Sequence, residues 1–178
     1  MARPGRAHGR LSTVVTSEGS WAIQTVDGAD VRLRSGRIGL VNVDVSAPVA
    51  SGDLHATAEH VHLGLRLALD ELRTGNFVVQ AAARALVTRH DAHVLAYSGK
   101  GVTSETPWVV TGRAIAGNVD VEIALTITPI GPDHDPLAEI DIVGTASFGR
   151  VHLPLPGMGT VEDFSIDLDA RLALSPTG

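Results

Sequence analysis

The sequence predicts an all-β fold of about eight antiparallel strands with one α-helix. Apolar and polar residues alternate over long stretches, such as residues 63–69 and 164–174. A period of two places one set of side chains on each face of a strand, which is typical of antiparallel sheets with one dry face. Turn residues separate these stretches at regular intervals. Strands spaced in this way favour a closed barrel or a sandwich.

The individual strands follow from the alternation and from the turn signals between stretches. In chain order they are predicted at residues 21–26, 31–34, 38–45, 56–69, 93–100, 108–114, 118–128, 137–145 and 164–174. The third strand is predicted to close at Ala47-Pro48, because proline cannot donate a ladder hydrogen bond. A Ser51-Gly52-Asp53 turn then leads into the fourth strand, with a kink near His60. Residues 151–156 are predicted to be irregular.

One stretch, residues 77–87, changes from strand alternation to helical spacing. It contains three consecutive alanines, which favour a helix. Thr74 or Asn76 can act as the N-cap, because either side chain can accept a hydrogen bond from a free backbone N–H. We expect a helix of about three turns that closes one mouth of the barrel.

The composition limits the classes of protein to consider. The chain has 178 residues, no cysteine and a formal net charge of −6. This length predicts one domain, over residues 20–175, after a disordered tail at residues 1–19. The absence of cysteine excludes disulfides, thiolate nucleophiles and cysteine-ligated metals. The acidic balance argues against nucleic acid as a partner. No run of 18 apolar residues occurs, so stable membrane insertion is not predicted, and no signal peptide is seen, which predicts a cytoplasmic location.

The histidines and serines yield no predicted metal ligand and no catalytic residue. His60 and His62 lie two residues apart on the face opposite the leucine row, where solvent surrounds them and no third ligand can be placed. His90 and His93 flank a helix-to-strand turn, and His134 lies in an acidic loop. Neither a nucleophile elbow nor a phosphate-binding loop is present in the sequence.

Several segments of the chain resemble the YceI-like domain family. They are Trp21-Ala22-Ile23, Leu72-Arg73-Thr74-Gly75-Asn76 before the helix, Trp108-Val109-Val110-Thr111-Gly112, and Phe148-Gly149 followed by the last strand. The segments follow the family's order over residues 20–174. The resemblance implies a lipocalin-like antiparallel β-barrel with one helix, which encloses an elongated pocket for an isoprenoid chain. Two signatures differ: Asp27-Gly28-Ala29-Asp30 stands in place of a His-Ser pair, and Thr145 in place of an arginine.

The predicted function is noncatalytic binding, transport or storage of an isoprenoid-type lipid, such as a polyprenyl chain or an isoprenoid quinone. Aromatic residues make up only 3% of the chain, so few are available to fill the lumen. No cofactor other than such a lipid is predicted. The expected ligand contacts come from the inward strand rows, the helix and the barrel mouth: Leu63, Leu65, Leu67, Phe77, Leu86, Val119, Val121, Ile123, Leu125, His152, Phe164, Ile166 and Leu168.

Two alternatives stay open on the sequence. The first is a packed barrel that acts as an interaction module through its exposed rows. The second, which we favour less, is an enzyme acting on an apolar ligand, with His152 or His90 as the acid or base. The partner expected in the leading interpretation is a small-molecule lipid, and the sequence leaves a homodimer open.

Overall fold

Nine strands, one α-helix and a short 3₁₀ helix form the part of the chain that the computed structural model describes, residues 18–26, 28–38, 41–131, 137–152 and 159–178. The strands are β1 (Gly19–Ile23), β2 (Asp30–Ile38), β3 (Val41–Ala56), β4 (His60–Ala68), β5 (Val94–Val102), β6 (Trp108–Ala116), β7 (Val119–Ile130), β8 (Glu139–His152) and β9 (Thr160–Pro176). The 3₁₀ helix Leu69–Glu71 and the helix α1 (Phe77–His90) lie between β4 and β5. Residues 1–17 of the predicted tail and His134 fall outside the described residues, whereas Gly19, the last residue of that predicted tail, already belongs to β1.

The strands close into an antiparallel barrel with eight positions in its wall, which confirms the predicted fold class. Seven positions are filled by β3 to β9, each paired with its neighbour in sequence. The eighth position is shared by β1 and β2, which both lie antiparallel between β3 and β9. The two strands are therefore collinear halves of one interrupted strand. A hydrogen bond from the Ala29 N–H to the Val26 carbonyl oxygen, at 3.0 Å, holds the segment between β1 and β2.

The strand β3 differs from its prediction, because it passes through Pro48 and the expected turn at Ser51–Asp53. Pro48 lies opposite Asp30, the first residue of β2, and the Val49 N–H donates to the Ala29 carbonyl at 2.9 Å. This pattern makes Pro48 and Asp30 a pair without direct ladder bonds. Pairing with β4 begins only at Val49, where the register shifts. The ladder thus needs no N–H at position 48.

The predicted fourth strand, residues 56–69, is divided: a turn at residues 57–59 separates β3 from β4, where a kink near His60 is predicted. The other corrections concern lengths. β8 and β9 are longer than predicted, because the two strands stay paired as far as His152 opposite Thr160. The predicted irregular segment therefore begins inside β8, and residues 153–158 lie outside the described residues. The helix has 14 residues, one turn more than expected. Asn76 is its N-cap, and its side chain accepts hydrogen bonds from the backbone N–H groups of Val78 and Val79.

The two ends of the barrel are closed in different ways. At the helix end, α1 packs against Phe164 of β9 and the apolar side chains around it. At the far end, where β3 turns into β4, the most deeply buried side chains form a continuous apolar core that includes Leu54, Val61, Trp108, Ile127 and Ile140. Within the described residues, the indole N–H of Trp108 has no hydrogen-bond partner. The far end is therefore packed, and the space that remains lies between this core and the helix.

Candidate functional site: an apolar cavity below the helix

The lumen contains a small cavity between the packed far end and the helix end. Its volume is about 40 Å³, and no polar surface faces it. Such a volume has room for little more than a water molecule, so an isoprenoid chain can enter only if side chains move. The cavity is lined by residues of seven strands: Val31, Leu33, Leu65, Leu67, Leu95, Tyr97, Ala114, Ile123, Leu125, Ile142, Leu168 and Ala170.

These residues meet because their strands alternate in phase. Leu33 on β2 lies opposite Leu168 on β9, and Leu65 on β4 lies opposite Tyr97 on β5. Directly opposite residues in an antiparallel pair point to the same face, so each of these pairs projects into the lumen. Most side chains in the inward rows are branched and aliphatic. Ala114 and Ala170 are the small side chains among them, and they leave the space that forms the cavity.

Tyr97 is the single residue with a polar side chain among those that line the cavity, and its polar atom is turned away from it. The hydroxyl donates its one hydrogen bond to the carbonyl oxygen of Val110 at 3.1 Å, and the carbonyl oxygen of Ile123 at 3.4 Å is a more distant acceptor of the same proton. Burial raises the pKa of Tyr97 to about 12, because the phenolate would lose its hydration. The ring therefore presents an apolar face to the cavity, and the cavity can recognise only hydrocarbon.

A second apolar cluster joins the helix to the barrel. Ala82 of α1 packs with the buried ring of Phe164 on β9. The Phe164 ring also lies beside that of Phe148 on β8, with centroids 5.9 Å apart. Around these residues lie further half-buried apolar side chains, from the helix and from the strands β3 and β9: Val43, Val78, Leu86, Val161 and Ile166. The helix thus covers the barrel end through an apolar cluster that has fewer buried residues than the main core.

The ends of α1 are held by polar contacts. Near its start, the Gln80 side chain donates to the Leu72 carbonyl at 2.6 Å. At its end, His90 Nδ1 lies 2.9 Å from Asn118 Oδ1, in the turn between β6 and β7. Gly117 in that turn has φ +58, and a Cβ there would collide with the His90 carbonyl oxygen. These contacts fix both ends of the helix, while its middle rests on the Phe164 cluster.

The structure distributes the thirteen predicted contact residues over several places. Five line the cavity, namely Leu65, Leu67, Ile123, Leu125 and Leu168. Leu63 and Val121 belong to the same core without lining the cavity, and Leu86, Phe164 and Ile166 belong to the helix-end cluster. Phe77 and Val119 are exposed. The side chain of His152 lies outside the described residues.

Phe77 and Val119 do not reach the lumen, for local reasons. Phe77 is the first residue of α1, directly after the Asn76 cap, and its ring is 84% exposed while Val79 and Ala82 face inward. Val119 begins β7 immediately after the turn at Gly117. His90 also lies outside the cavity lining, because it is the last residue of the helix and contacts Asn118 in the turn between β6 and β7.

The sequence reasoning missed seven lining residues. Val31 and Leu33 alternate with two arginines, which indicates a strand with one apolar face. The strand predicted there is only four residues long, and no ligand contact is predicted on it. Leu95 and Tyr97 alternate with Val94 and Ala96, which are apolar although they lie on the other face, so the alternation was masked. The remaining missed residues are Ala114, Ile142 and Ala170.

The histidines whose side chains the structure describes lie outside the lumen of the barrel. His60 is exposed, as predicted, and the side chain of His62 is 34% exposed. His93 contacts Asp70 at 2.7 Å and Asp91 at 3.0 Å, and the hydrogen bond to Asp70 is the main cause of its raised pKa. In the described ranges, no three histidine or carboxylate side chains are arranged to hold a metal ion. None of the helices described there is long and apolar enough to cross a membrane.

Comparison with known proteins supports the fold. No protein-family model matches the chain, and no curated protein matches it. Among solved structures, a polyisoprenoid binding domain from Saccharophagus degradans superposes with a TM-score of 0.50 at 11% sequence identity. The match covers 87% of this chain and 98% of that domain. The two proteins therefore share the architecture of the barrel with one helix, over nearly the whole of the known domain.

Proposed function

We propose that the protein binds an isoprenoid-type lipid, a polyprenyl chain or an isoprenoid quinone, in the lumen of the barrel, and that it is a divergent member of the YceI-like family. The observation that carries the proposal is the cavity, which is apolar on every side and lies between a packed core and a covering helix. The fold shared with a polyisoprenoid binding domain supports the same ligand class.

The size of the cavity sets how binding must occur. A void of 40 Å³ costs the folded protein about 1 kcal/mol, at ~24 cal/mol per Å³. Filling it alone cannot drive tight binding. A lipid of ~30 non-hydrogen atoms gains ~9 kcal/mol at ~0.3 kcal/mol per atom, which corresponds to a submicromolar Kd before the cost of opening. The ligand must therefore displace part of the lumen wall.

The helix α1 is the part that we expect to move. Three of its residues, Val79, Ala82 and Val87, are buried, whereas the far end holds most of the fully buried side chains. Lifting the middle of α1 from Phe164 would open the helix end toward Leu33, Leu67 and Leu168 without disturbing the far-end core. The polar head of the lipid would then stay at this mouth, because the lumen offers it no partner.

The test is a binding experiment with a matched pair of variants. Ala114 lines the cavity and is buried, while Ala124 lies on the outer face of β7 and is exposed. Ala114→Leu fills the cavity, and Ala124→Leu adds the same atoms outside. Native mass spectrometry and organic extraction should detect co-purified lipid, or polyprenol or quinone taken up on mixing, in the parent chain and in Ala124→Leu. Uptake by Ala114→Leu should fall at least tenfold, as expected for a loss of about 1.4 kcal/mol or more.

A chain that neither carries lipid nor takes it up would contradict the proposal, as would equal uptake by the two variants. Thermal unfolding of both variants checks that Ala114→Leu still folds.

The small cavity also favours a second candidate, a packed barrel that acts as an interaction module. Val109 on β6 and Val143 on β8 are about half exposed on the outer face, in one row through Thr126. An interaction module would bind its partner, for example a second copy of the chain, through such a row. Val143→Asp should then abolish association measured by sedimentation and leave lipid uptake unchanged.

A further inference from the structure

Three polar side chains form a connected group on the outer face of the barrel, away from the lumen. His62 on β4 lies between Asp53 on β3 and Ser98 on β5. Its Nδ1 is 3.7 Å from Asp53 Oδ2, and its Nε2 is 3.1 Å from Ser98 Oγ. The carboxylate thus faces one ring nitrogen and the hydroxyl faces the other. This is the order of contacts in an acid–histidine–serine relay.

The barrel register brings these residues together. Asp53, Gly64 and Ser98 lie in one row across β3, β4 and β5, and His62 lies two residues along β4 from Gly64, on the same face. The imidazole leans over Gly64 and reaches both neighbouring strands. A Cβ at Gly64 would lie 2.6 Å from Asp53 Oδ1, so a side chain there would push the carboxylate away. Glycine at this position is what allows the contact.

We propose that Ser98 is an activated nucleophile and that this group is a site of acyl transfer to water, an esterase-type activity separate from lipid binding. His62 accepts the Ser98 proton at Nε2 as the Ser98 oxygen attacks the carbonyl carbon of an ester. The Asp53 carboxylate, at 3.7 Å from Nδ1, lies at ion-pair distance and beyond hydrogen-bond reach, so it stabilises the positive charge of the imidazole by electrostatic attraction. The side chains of Asp53 and His62 are 67% and 34% exposed, so a substrate can approach.

The chemical step balances without any further reactant. A Ser98 Oγ–carbon bond forms, and the ester carbon–oxygen bond breaks as the proton on His62 Nε2 passes to the leaving alcohol. Water then attacks the acyl-serine, gives its proton to His62, and releases a carboxylic acid while Ser98 regains its hydrogen. The developing oxyanion needs a positive charge. Lys100 lies directly opposite His62 and two residues from Ser98 on the same face, which places its charge at this side of the group.

The open surface determines the substrate class. The group lies on the outer face of a sheet and is open to solvent, so it suits small, unhindered acyl groups with good leaving groups. Short activated esters such as p-nitrophenyl acetate and serine-directed fluorophosphonates are therefore the appropriate probes.

The chain contains its own control. Ser20 Oγ lies 2.7 Å from His55 Nδ1 on the same face of the barrel, but in the described ranges His55 forms no ion pair with a carboxylate. A serine that merely touches a histidine would react equally at both places. The relay predicts that fluorophosphonate labels Ser98, forming an oxygen–phosphorus bond with loss of fluoride, and does not label Ser20. Peptide mass spectrometry of the labelled full chain distinguishes the two sites.

The losses of labelling and of ester hydrolysis in variants should follow the roles that the relay gives to each residue. Ser98→Ala should abolish labelling at position 98 and lower hydrolysis of p-nitrophenyl acetate at least about tenfold. His62→Gln should lower both labelling of Ser98 and hydrolysis at least about tenfold, since a positioned general base contributes ~10²-fold or more. Asp53→Asn and Gly64→Ala should show smaller losses, and Ser20→Ala none. Thermal unfolding of each variant checks its fold. The proposal is overturned if Ser98 is not labelled, if Ser20 is labelled to the same extent, or if His62→Gln leaves labelling of Ser98 unchanged.

Discussion

The hydroxyl of Tyr97 occupies the space into which a side chain at Gly99 would project. Both residues lie on the inward face of β5, two positions apart. A Cβ built on Gly99 collides with the Tyr97 hydroxyl oxygen and lies 2.7 Å from Val110 Cγ1. The same hydroxyl donates to the Val110 carbonyl at 3.1 Å. The place of the Tyr97 ring in the cavity wall therefore depends on the absence of a side chain at position 99.

Replacing Gly99 by alanine should destabilise the fold. The added methyl group has to displace both the Tyr97 ring and Val110, and overpacking of this kind typically costs 1–3 kcal/mol. Chemical denaturation of Gly99→Ala measures the loss. Gly75→Ala is the control, because a Cβ there meets no atom within 4 Å. Adding Tyr97→Phe should recover only part of the loss, since a ring carbon still lies 2.8 Å from the new methyl group.

Alkaline pH should lower the stability of the protein through Tyr97. Its pKa is about 12 in the folded state, above the ordinary value of 10.0. The unfolded chain therefore ionises first, and the free energy of unfolding should fall as the pH rises from about 10 towards 12. Tyr97 is the one tyrosine of the chain, so the phenolate absorbance near 295 nm reports it directly. A midpoint near 10 in the folded protein would contradict the buried position.

Acidic pH should strengthen the contact between His93 and the segment before the helix. The pKa of His93 is raised above 6.5 by its hydrogen bond to Asp70, with Asp91 as a further contributor. The charged form is favoured by folding, so the stabilisation is complete below pH 6.5 and is lost as the pH rises through the raised value. NMR titration should show a raised midpoint for His93 in the parent chain. Asp70→Asn should lower that midpoint, and an unchanged midpoint would contradict the contact.

Enlarging the cavity should cost stability and create a site for small apolar molecules. Leu125 is 2% exposed and lines the cavity. Leu125→Ala should lower the free energy of unfolding by 2–5 kcal/mol, because removed contacts and new void add together. Benzene should then raise the melting temperature of this variant and not of the parent chain, whose void is too small. Val143→Ala, on the exposed face, should change stability by less than about 0.5 kcal/mol.

Removing the helix cap should loosen the cover of the lumen. Asn76 Oδ1 accepts from the Val78 N–H at 2.9 Å and from the Val79 N–H at 3.4 Å. Asn76→Ala should cost about 1 kcal/mol and speed amide hydrogen exchange in α1. Asn76→Asp retains an acceptor at the cap and should behave like the parent chain. If the alanine variant exchanged no faster in α1, the helix would be held by its packing alone.

The alternation of residues predicted the barrel because an inward row and an outward row leave a direct trace in the sequence. The same rule placed Leu65, Leu67 and Leu125 correctly on the inward face. It failed for β3, because the effect of Pro48 depends on whether a neighbouring strand needs its N–H, and that follows only from the register. It also missed Tyr97, because the outward residues next to it are apolar.

The size of the lumen could not be predicted from the sequence, and the reason is physical. Whether facing leucines and alanines meet or leave a void depends on distances across the barrel, and alternation carries no information about those distances. The contact of Asp53, His62 and Ser98 was hidden in the same way. The three residues lie on three different strands, with Ser98 36 residues from His62, and only the pairing of β3, β4 and β5 brings them to one place.

The division of one wall position between β1 and β2 has a consequence for engineering. The break at residues 24–29 lies between two short ladders, so extra chain inserted there interrupts no continuous run of strand pairing. Such a position is suited to carrying a fused peptide or a fluorescent reporter on the outside of the barrel wall, between β3 and β9. A label in this break would sit beside residues 170–173 of β9, close to the cavity-lining Ala170, and could report on the lumen without touching the helix that covers it.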